Sequence, residues 1–220
     1  MTNTKNLLPI STANGNLIDT TTGETQTITY LQGRPRQYRF DASNGKFNIK
    51  GEIPLTKKGK AFTILPVAFR IFKDDILGMG LKKWVEFYFI NEKMQLCALL
   101  LHGYSVENLL RMTDEMFYDG VNLCQVALTI EPIEKTSSQV IDGKNPKYFM
   151  CEFSYQPLDQ AAQDNLEAVT KHLRIWREET FTMQADVQLC MNWDPETSHL
   201  LMDEEATEET DETTEVPQVA

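Results

Sequence analysis

This sequence predicts a mainly β fold with two helices, an α+β class, and three patterns carry the prediction. Short runs with period-two apolar spacing fill Arg34 to Phe72, Trp84 to Leu101 and Asn122 to Tyr155, as strands with a buried face require. Apolar residues at helical spacing are confined to Ser105–Phe117 and Pro157–Glu179. The last eighteen residues, 203–220, carry eight acidic side chains and no basic one. Such a segment buries too little apolar surface to offset the entropy of ordering and is expected to be a disordered tail.

The elements follow in chain order. Residues 1–33 are rich in Thr, Asn and Gly and lack a sustained period, which predicts a flexible arm or edge strands. Arg36 to Phe40 alternates, and Asn44-Gly45 marks a hairpin turn. Phe47, Ile49 and Ile53 continue the period, with Gly51 at a bulge or bend. Lys57 to Lys60 is a basic turn, and Phe62 to Phe72 resumes the strand around Pro66, which implies an edge or a break. Trp84–Ile90 and Met94–Leu101 make a second hairpin. Ser105 is placed to cap a helix to about Phe117. Strands return at Asn122–Ile130 and Lys147–Tyr155, and the polar connector 134–145 joins them. Pro157 suits a helical first turn, and Leu158, Ala162, Leu166, Val169, Leu173 and Trp176 form one stripe to Glu179. A short strand around Met183–Met191 precedes the tail. One domain over 34–202 is therefore expected, including the helix 157–179.

Charge is divided by region. The 220 residues carry 21 Lys+Arg and 32 Asp+Glu, a net of −11. Leu31 to Lys93 nonetheless holds 13 basic residues against 6 acidic, whereas 94–202 holds 7 against 16. A basic island on an acidic protein points to an anionic partner, nucleic acid first and an anionic membrane surface second.

Several classes lack their signatures. No apolar run reaches membrane-span length, and the N-terminus has no secretory apolar core behind a basic start, so a cytoplasmic chain without a membrane partner is expected. Cys97, Cys124, Cys151 and Cys190 have no zinc-like spacing and read as buried free thiols. Phosphate-loop, dinucleotide, zinc-protease and nucleophile-elbow motifs are absent, and the adjacent carboxylates Asp74-Asp75 and Glu178-Glu179 diverge on regular structure. No catalytic residue, metal ligand or cofactor is assigned.

What the sequence does present is cations interleaved with rings in its β-rich first half. Arg34, Arg36, Tyr38, Arg39, Phe47, Lys50, Lys57, Lys58, Lys60, Lys82, Lys83, Trp84 and Tyr88 fall within 55 residues. Cations track phosphates and ring faces stack on bases, the chemistry that holds single-stranded nucleic acid. Alternation puts Arg36, Tyr38 and Phe40 on one face of their strand and Gln37 and Arg39 on the other. In the next hairpin it assigns Val85, Phe87 and Phe89 to the core, with Trp84 and Tyr88 on an outer platform. Which of these rings stack and which fill the core is left open.

The order of elements, with the tail Asp203, Glu204, Glu205, Glu208, Glu209, Asp211, Glu212 and Glu215, resembles the OB-fold single-stranded DNA-binding proteins of bacteria and bacteriophages. The barrel part of the resemblance covers residues 34–156 and the tail part 203–220. It implies an OB-like β-barrel that holds single-stranded DNA, and a tail that competes for the groove and recruits replication or recombination proteins. It also implies location in the cytoplasm, that of the host if phage-encoded. Family tails often end in an aromatic, whereas this one ends Val216-Pro-Gln-Val-Ala220. The long helix falls outside a minimal barrel and is available for packing or for a homo-oligomer. The expected function is non-catalytic single-stranded DNA binding. The alternative is a protein-interaction or assembly factor that uses the tail without nucleic acid, and a nuclease is a third and weaker candidate.

Overall fold

The computed structural model describes residues 10–13, 16–19, 25–138, 140, 143, 145–171 and 173–194. The acidic tail and its eight candidate partner-binding residues lie outside the described residues, as does much of the N-terminal arm. Strands β1 (Ile10–Ala13), β2 (Asn16–Asp19) and β3 (Thr25–Thr27) form a small antiparallel sheet of their own.

The chain then builds β4 (Arg36–Asp41), β5 (Lys46–Ile49), β6 (Ile53–Pro54), β7 (Phe62–Ile64), β8 (Pro66–Asp74), β9 (Lys82–Ile90) and β10 (Leu96–His102). Helix α1 (Tyr104–Tyr118) leads to β11 (Val126–Thr136) and β12 (Lys147–Pro157). Helix α2 (Gln160–Thr170) and β13 (Asp186–Met191) complete it. Seven strands form one sheet in the order β13-β8-β9-β10-β4-β5-β6, and β12-β11-β7 form another. All pairings in these two sheets are antiparallel except β10 with β4. No sheet closes on itself among the described residues, so the molecule is mainly β with two helices and without a closed barrel.

Pro66 stands at the break between β7 and β8, as the first residue of β8. β7 ends at Ile64 and pairs with β11, whereas β8 begins at Pro66 and pairs with β9, so one run of sequence serves two sheets. Alternation along β9 then builds two cores. Val85, Phe87 and Phe89 face α1 and the β12-β11-β7 sheet, packing with Leu99, Val106, Leu109, Leu128 and Ile130. The opposite face meets the C-terminal region, where Tyr88, Val67 and Ala98 pack with Leu166, Ile175, Phe181 and Trp193. Trp84 joins Phe72 and Ile76 in a third small cluster.

Three local expectations change. The helix over 157–179 is confined to Gln160–Thr170, because Pro157 is the last residue of β12, paired with Val126. Its predicted stripe still reaches the core, since Leu158, Leu173 and Trp176 pack on the cluster that buries Leu166, but 173–177 does so as irregular chain. Ser105 does not cap α1. Gly103 at φ 65 starts the helix, and the buried Ser105 hydroxyl instead accepts a hydrogen bond from Cys151 N at 3.0 Å, tying α1 to β12. Finally, Cys97, Cys124 and Cys151 are buried free thiols as expected, but Cys190 on the edge strand β13 is exposed.

No helix among the described residues is long and apolar enough to cross a membrane.

Candidate nucleic-acid interface

The basic residues do not share one groove. A concavity of about 930 Å³ lies where the start of β4 meets the 3-10 turn Glu178–Thr180. Arg34, Arg36, Gln37, Lys50, Glu52 and Gln95 line it, together with Arg177, Glu178 and Glu179. Local sequence shapes its rim. Gly33 sits at φ +71 with Trp176 packed so closely that a Cβ there would stand 2.7 Å from the indole ring. Only glycine permits both the left-handed backbone and that approach. The Gly33 carbonyl accepts from Glu178 N at 2.8 Å, which seats the turn against the strand.

The cleft's charges are partly spoken for. Arg34 Nε donates to Glu178 Oε2 at 2.7 Å. The bond holds the Glu178 carboxyl below its ordinary pKa and raises that of Arg34. Glu179 accepts from Gln37 Nε2 and from Arg177 Nη2, each at 2.5 Å. Arg36 Nη1 donates to the neutral Gln95 amide at 2.7 Å, so no carboxylate neutralises it there. Lys50 is exposed at the mouth, its N–H bonded to Gln37 O at 3.1 Å. Arg39, also exposed, donates to Gln37 Oε1 at 3.1 Å. The alternation that places Gln37 and Arg39 opposite Tyr38 is therefore observed.

The remaining predicted cations lie elsewhere. Lys57, Lys58 and Lys60 are exposed on the turn between β6 and β7, where Lys58 reaches Glu134 at 3.7 Å and stands over the Phe149 ring at 5.2 Å. Lys82 and Lys83 lie at the far end of β9, Lys83 at 3.2 Å from Glu107.

The predicted rings are all in the core, which corrects the stacking assignment. Phe47 and Tyr88 are fully buried, Trp84 is 1% exposed and Tyr38 6%. Tyr38 and Phe47 pack against Phe62 with ring centroids at 5.9 and 5.1 Å. Trp84 donates Nε1–H to Asp74 O at 3.1 Å. The parity predicted for Trp84 and Tyr88 is right, but the face they share is covered by 173–194 rather than open. No base can stack on these four.

Sequence reasoning missed the other wall of the cleft. Glu178, Glu179 and Arg177 lie about 140 residues from Arg34 and Gln37. The one available signal was the adjacent acidic pair, whose side chains diverge as expected, to Arg34 and to Arg177 with Gln37. Beneath that wall Arg70, Glu86, Arg177 and Thr180 form a buried polar cluster. Among the described residues no group of His, Cys, Asp or Glu is arranged to hold a metal ion. Comparison with protein-family models, with curated proteins and with solved structures finds no match to this chain.

Proposed function

We propose that this is a non-catalytic single-stranded DNA-binding protein of the OB-like kind, acting in replication or recombination. The observation that carries the reading is the cleft beside β4, where Arg34, Arg36 and Lys50, with Arg39 close by, offer four cations to a chain of phosphates. With Tyr38, Phe47, Trp84 and Tyr88 in the core, capture there is by phosphate contact and by guanidinium planes under bases, which stack as rings do.

The topology supports the same reading. A bent strand shared between two sheets (β7 and β8), the meander β8-β9-β10, helix α1 and the hairpin β11-β12 run in the order of an OB barrel, with β4 in place of β12 beside β10. The last described residue before the tail, Asp194, lies close to the cleft wall. Asp194 N bonds to Ile175 O at 3.5 Å, two residues before Arg177 in the cleft wall. The nine residues from 194 to 203 span up to about 30 Å when extended. In this reading the tail competes with DNA and displays itself to replication or recombination proteins.

The test is fluorescence anisotropy of a labelled ~30-mer, single-stranded against duplex, with the full chain and with a chain ending at Met202, across salt concentrations. Salt-sensitive preference for the single strand, strengthened by loss of the tail, is expected. Absence of binding by both chains at low salt overturns the reading. It would leave the assembly factor, which the exposed pair Phe117 and Tyr118 at the end of α1 favours as a protein contact.

A further inference from the structure

With the predicted rings buried, a stacking surface has to come from rings the sequence pattern did not single out. The open aromatic side chains among the described residues are Tyr104, Phe117 and Tyr118, at 67%, 78% and 86% exposure. Phe117 and Tyr118 stack edge to face at the C-terminal end of α1, between Glu115 and Asp119. Carboxylates and the negative end of the helix repel phosphate there.

Tyr104 has the opposite surroundings. It lies one helical turn from Glu107, so the two side chains neighbour each other on the surface of α1. Glu107 Oε1 receives Lys83 Nζ at 3.2 Å, on the helical turn that begins at Tyr104. The main chains also meet, since Gly103 N donates to Lys83 O at 3.4 Å. His102 packs edge-on against Trp84, its register partner, at 5.0 Å. Burial, and after it the charge of Lys82, hold the His102 imidazole below its ordinary pKa. Leu81, just before Lys82, is 65% exposed and extends the patch with apolar surface. The acids at this end of the sheet are Glu107, already on Lys83, the exposed Asp75, the exposed Asp186 across from Lys73 in register, and Asp74, which is buried and accepts from the Thr182 hydroxyl.

We infer that Tyr104, Lys82 and Lys83 form a second contact for single-stranded nucleic acid, in which a base lies on the Tyr104 ring and the flanking phosphates meet the two lysines. The inference rests on the nucleic-acid reading above and adds to it the stacking residue. Lys83 exchanges the Glu107 carboxylate for a phosphate when the strand binds. Strand β10 relates the two contacts: Leu96 lines the cleft and His102 stands at the patch, six residues and about 20 Å apart. A strand occupying a site of roughly 4–16 nucleotides reaches both.

The experiment uses the full chain with a single-stranded oligonucleotide carrying 5-iodouracil, read by anisotropy and by peptide mapping of the photocrosslink. Tyr104→Ala is expected to weaken binding by about 5- to 150-fold, the range for loss of one stacked base, with the salt slope unchanged. Tyr104→Phe keeps the ring and is expected to bind as the parent does. Lys82→Gln with Lys83→Gln is expected to flatten the salt slope by about 0.7 for each lysine. Crosslinks are expected on the peptide containing Tyr104. Tyr104 is largely exposed, so its substitution leaves the fold intact, which circular dichroism verifies. Unchanged affinity in Tyr104→Ala, with crosslinks only on cleft peptides, overturns this inference and leaves the cleft standing. No binding by the parent chain overturns both.

Discussion

Arg70 and Glu86 face each other in register across β8 and β9, and Arg70 donates from Nε at 3.0 Å and Nη2 at 2.8 Å to one oxygen of the Glu86 carboxylate. Both side chains are wholly buried. Arg177 Nη1 reaches the other oxygen at 3.2 Å, the Thr180 hydroxyl bonds to the same carboxylate, and Tyr88 donates to it at 2.9 Å. Arg70 also lies over the Phe72 and Trp193 rings at 4.0 and 4.6 Å. One buried carboxylate therefore joins the sheet to the 177–180 segment that walls the cleft.

The cluster makes folding acid-sensitive. Burial alone would raise the Glu86 pKa, but Arg70 and Arg177 reverse that and hold it below its ordinary 4.5. A carboxyl depressed on folding contributes stability that is full above its unfolded pKa and is lost as pH falls through the folded value. Denaturant titrations should show stability declining as pH drops below about 4.5. Glu86→Gln alone strands Arg70 and is expected to cost about 3–5 kcal/mol. The pair Arg70→Met with Glu86→Leu should fold and show a weaker acid dependence in the same titration.

Trp84 tests whether a ring serves packing or binding. Trp84→Ala should lower unfolding free energy by about 3–5 kcal/mol, as removal of a buried Trp does. A platform on the surface would instead lose affinity for single strands while keeping its urea midpoint, and that outcome would contradict the burial of Trp84.

Within the proposed function, Glu178 competes with phosphate for Arg34. Glu178→Gln should tighten binding to single-stranded DNA more than Glu52→Gln does, since Glu52 lines the same cleft without an ion pair to Arg34. Arg34→Ala should weaken binding and reduce the salt slope by about 0.7. In the Arg34→Ala background the effect of Glu178→Gln should shrink to that of the Glu52 control, and a double-mutant cycle of affinities measures this.

Thiol reactivity should separate the cysteines. Burial pushes Cys97 up to about 11 and Cys124 and Cys151 up to about 12, so none is a thiolate near neutral pH. Ellman's reagent should titrate one thiol, the exposed Cys190, in the folded chain and all four after denaturation. More than one fast-reacting thiol in the folded chain would refute the burial of the other three.

Local pattern by itself determined much of this protein. Alternation placed Val85, Phe87 and Phe89 opposite Trp84 and Tyr88, and Gln37 and Arg39 opposite Tyr38. Pro66 marked an edge or a break, and it stands at the start of β8, a position that a residue without an N–H tolerates. These are statements about neighbours along the chain, and period two is a local property.

Only the tertiary structure decided which face meets water. Trp84 and Tyr88 read as an outer platform until segments about 100 residues downstream fold across that side of the sheet, Phe181 and Trp193 onto Tyr88, and Ala185 and Val187 onto the Trp84 cluster. The same long-range packing brings Glu178 and Glu179 to Arg34 and Gln37, and Glu107 to Lys83. Periodicity shows that two faces differ and carries no information about what covers either one. Coverage comes from apolar burial between segments distant in sequence.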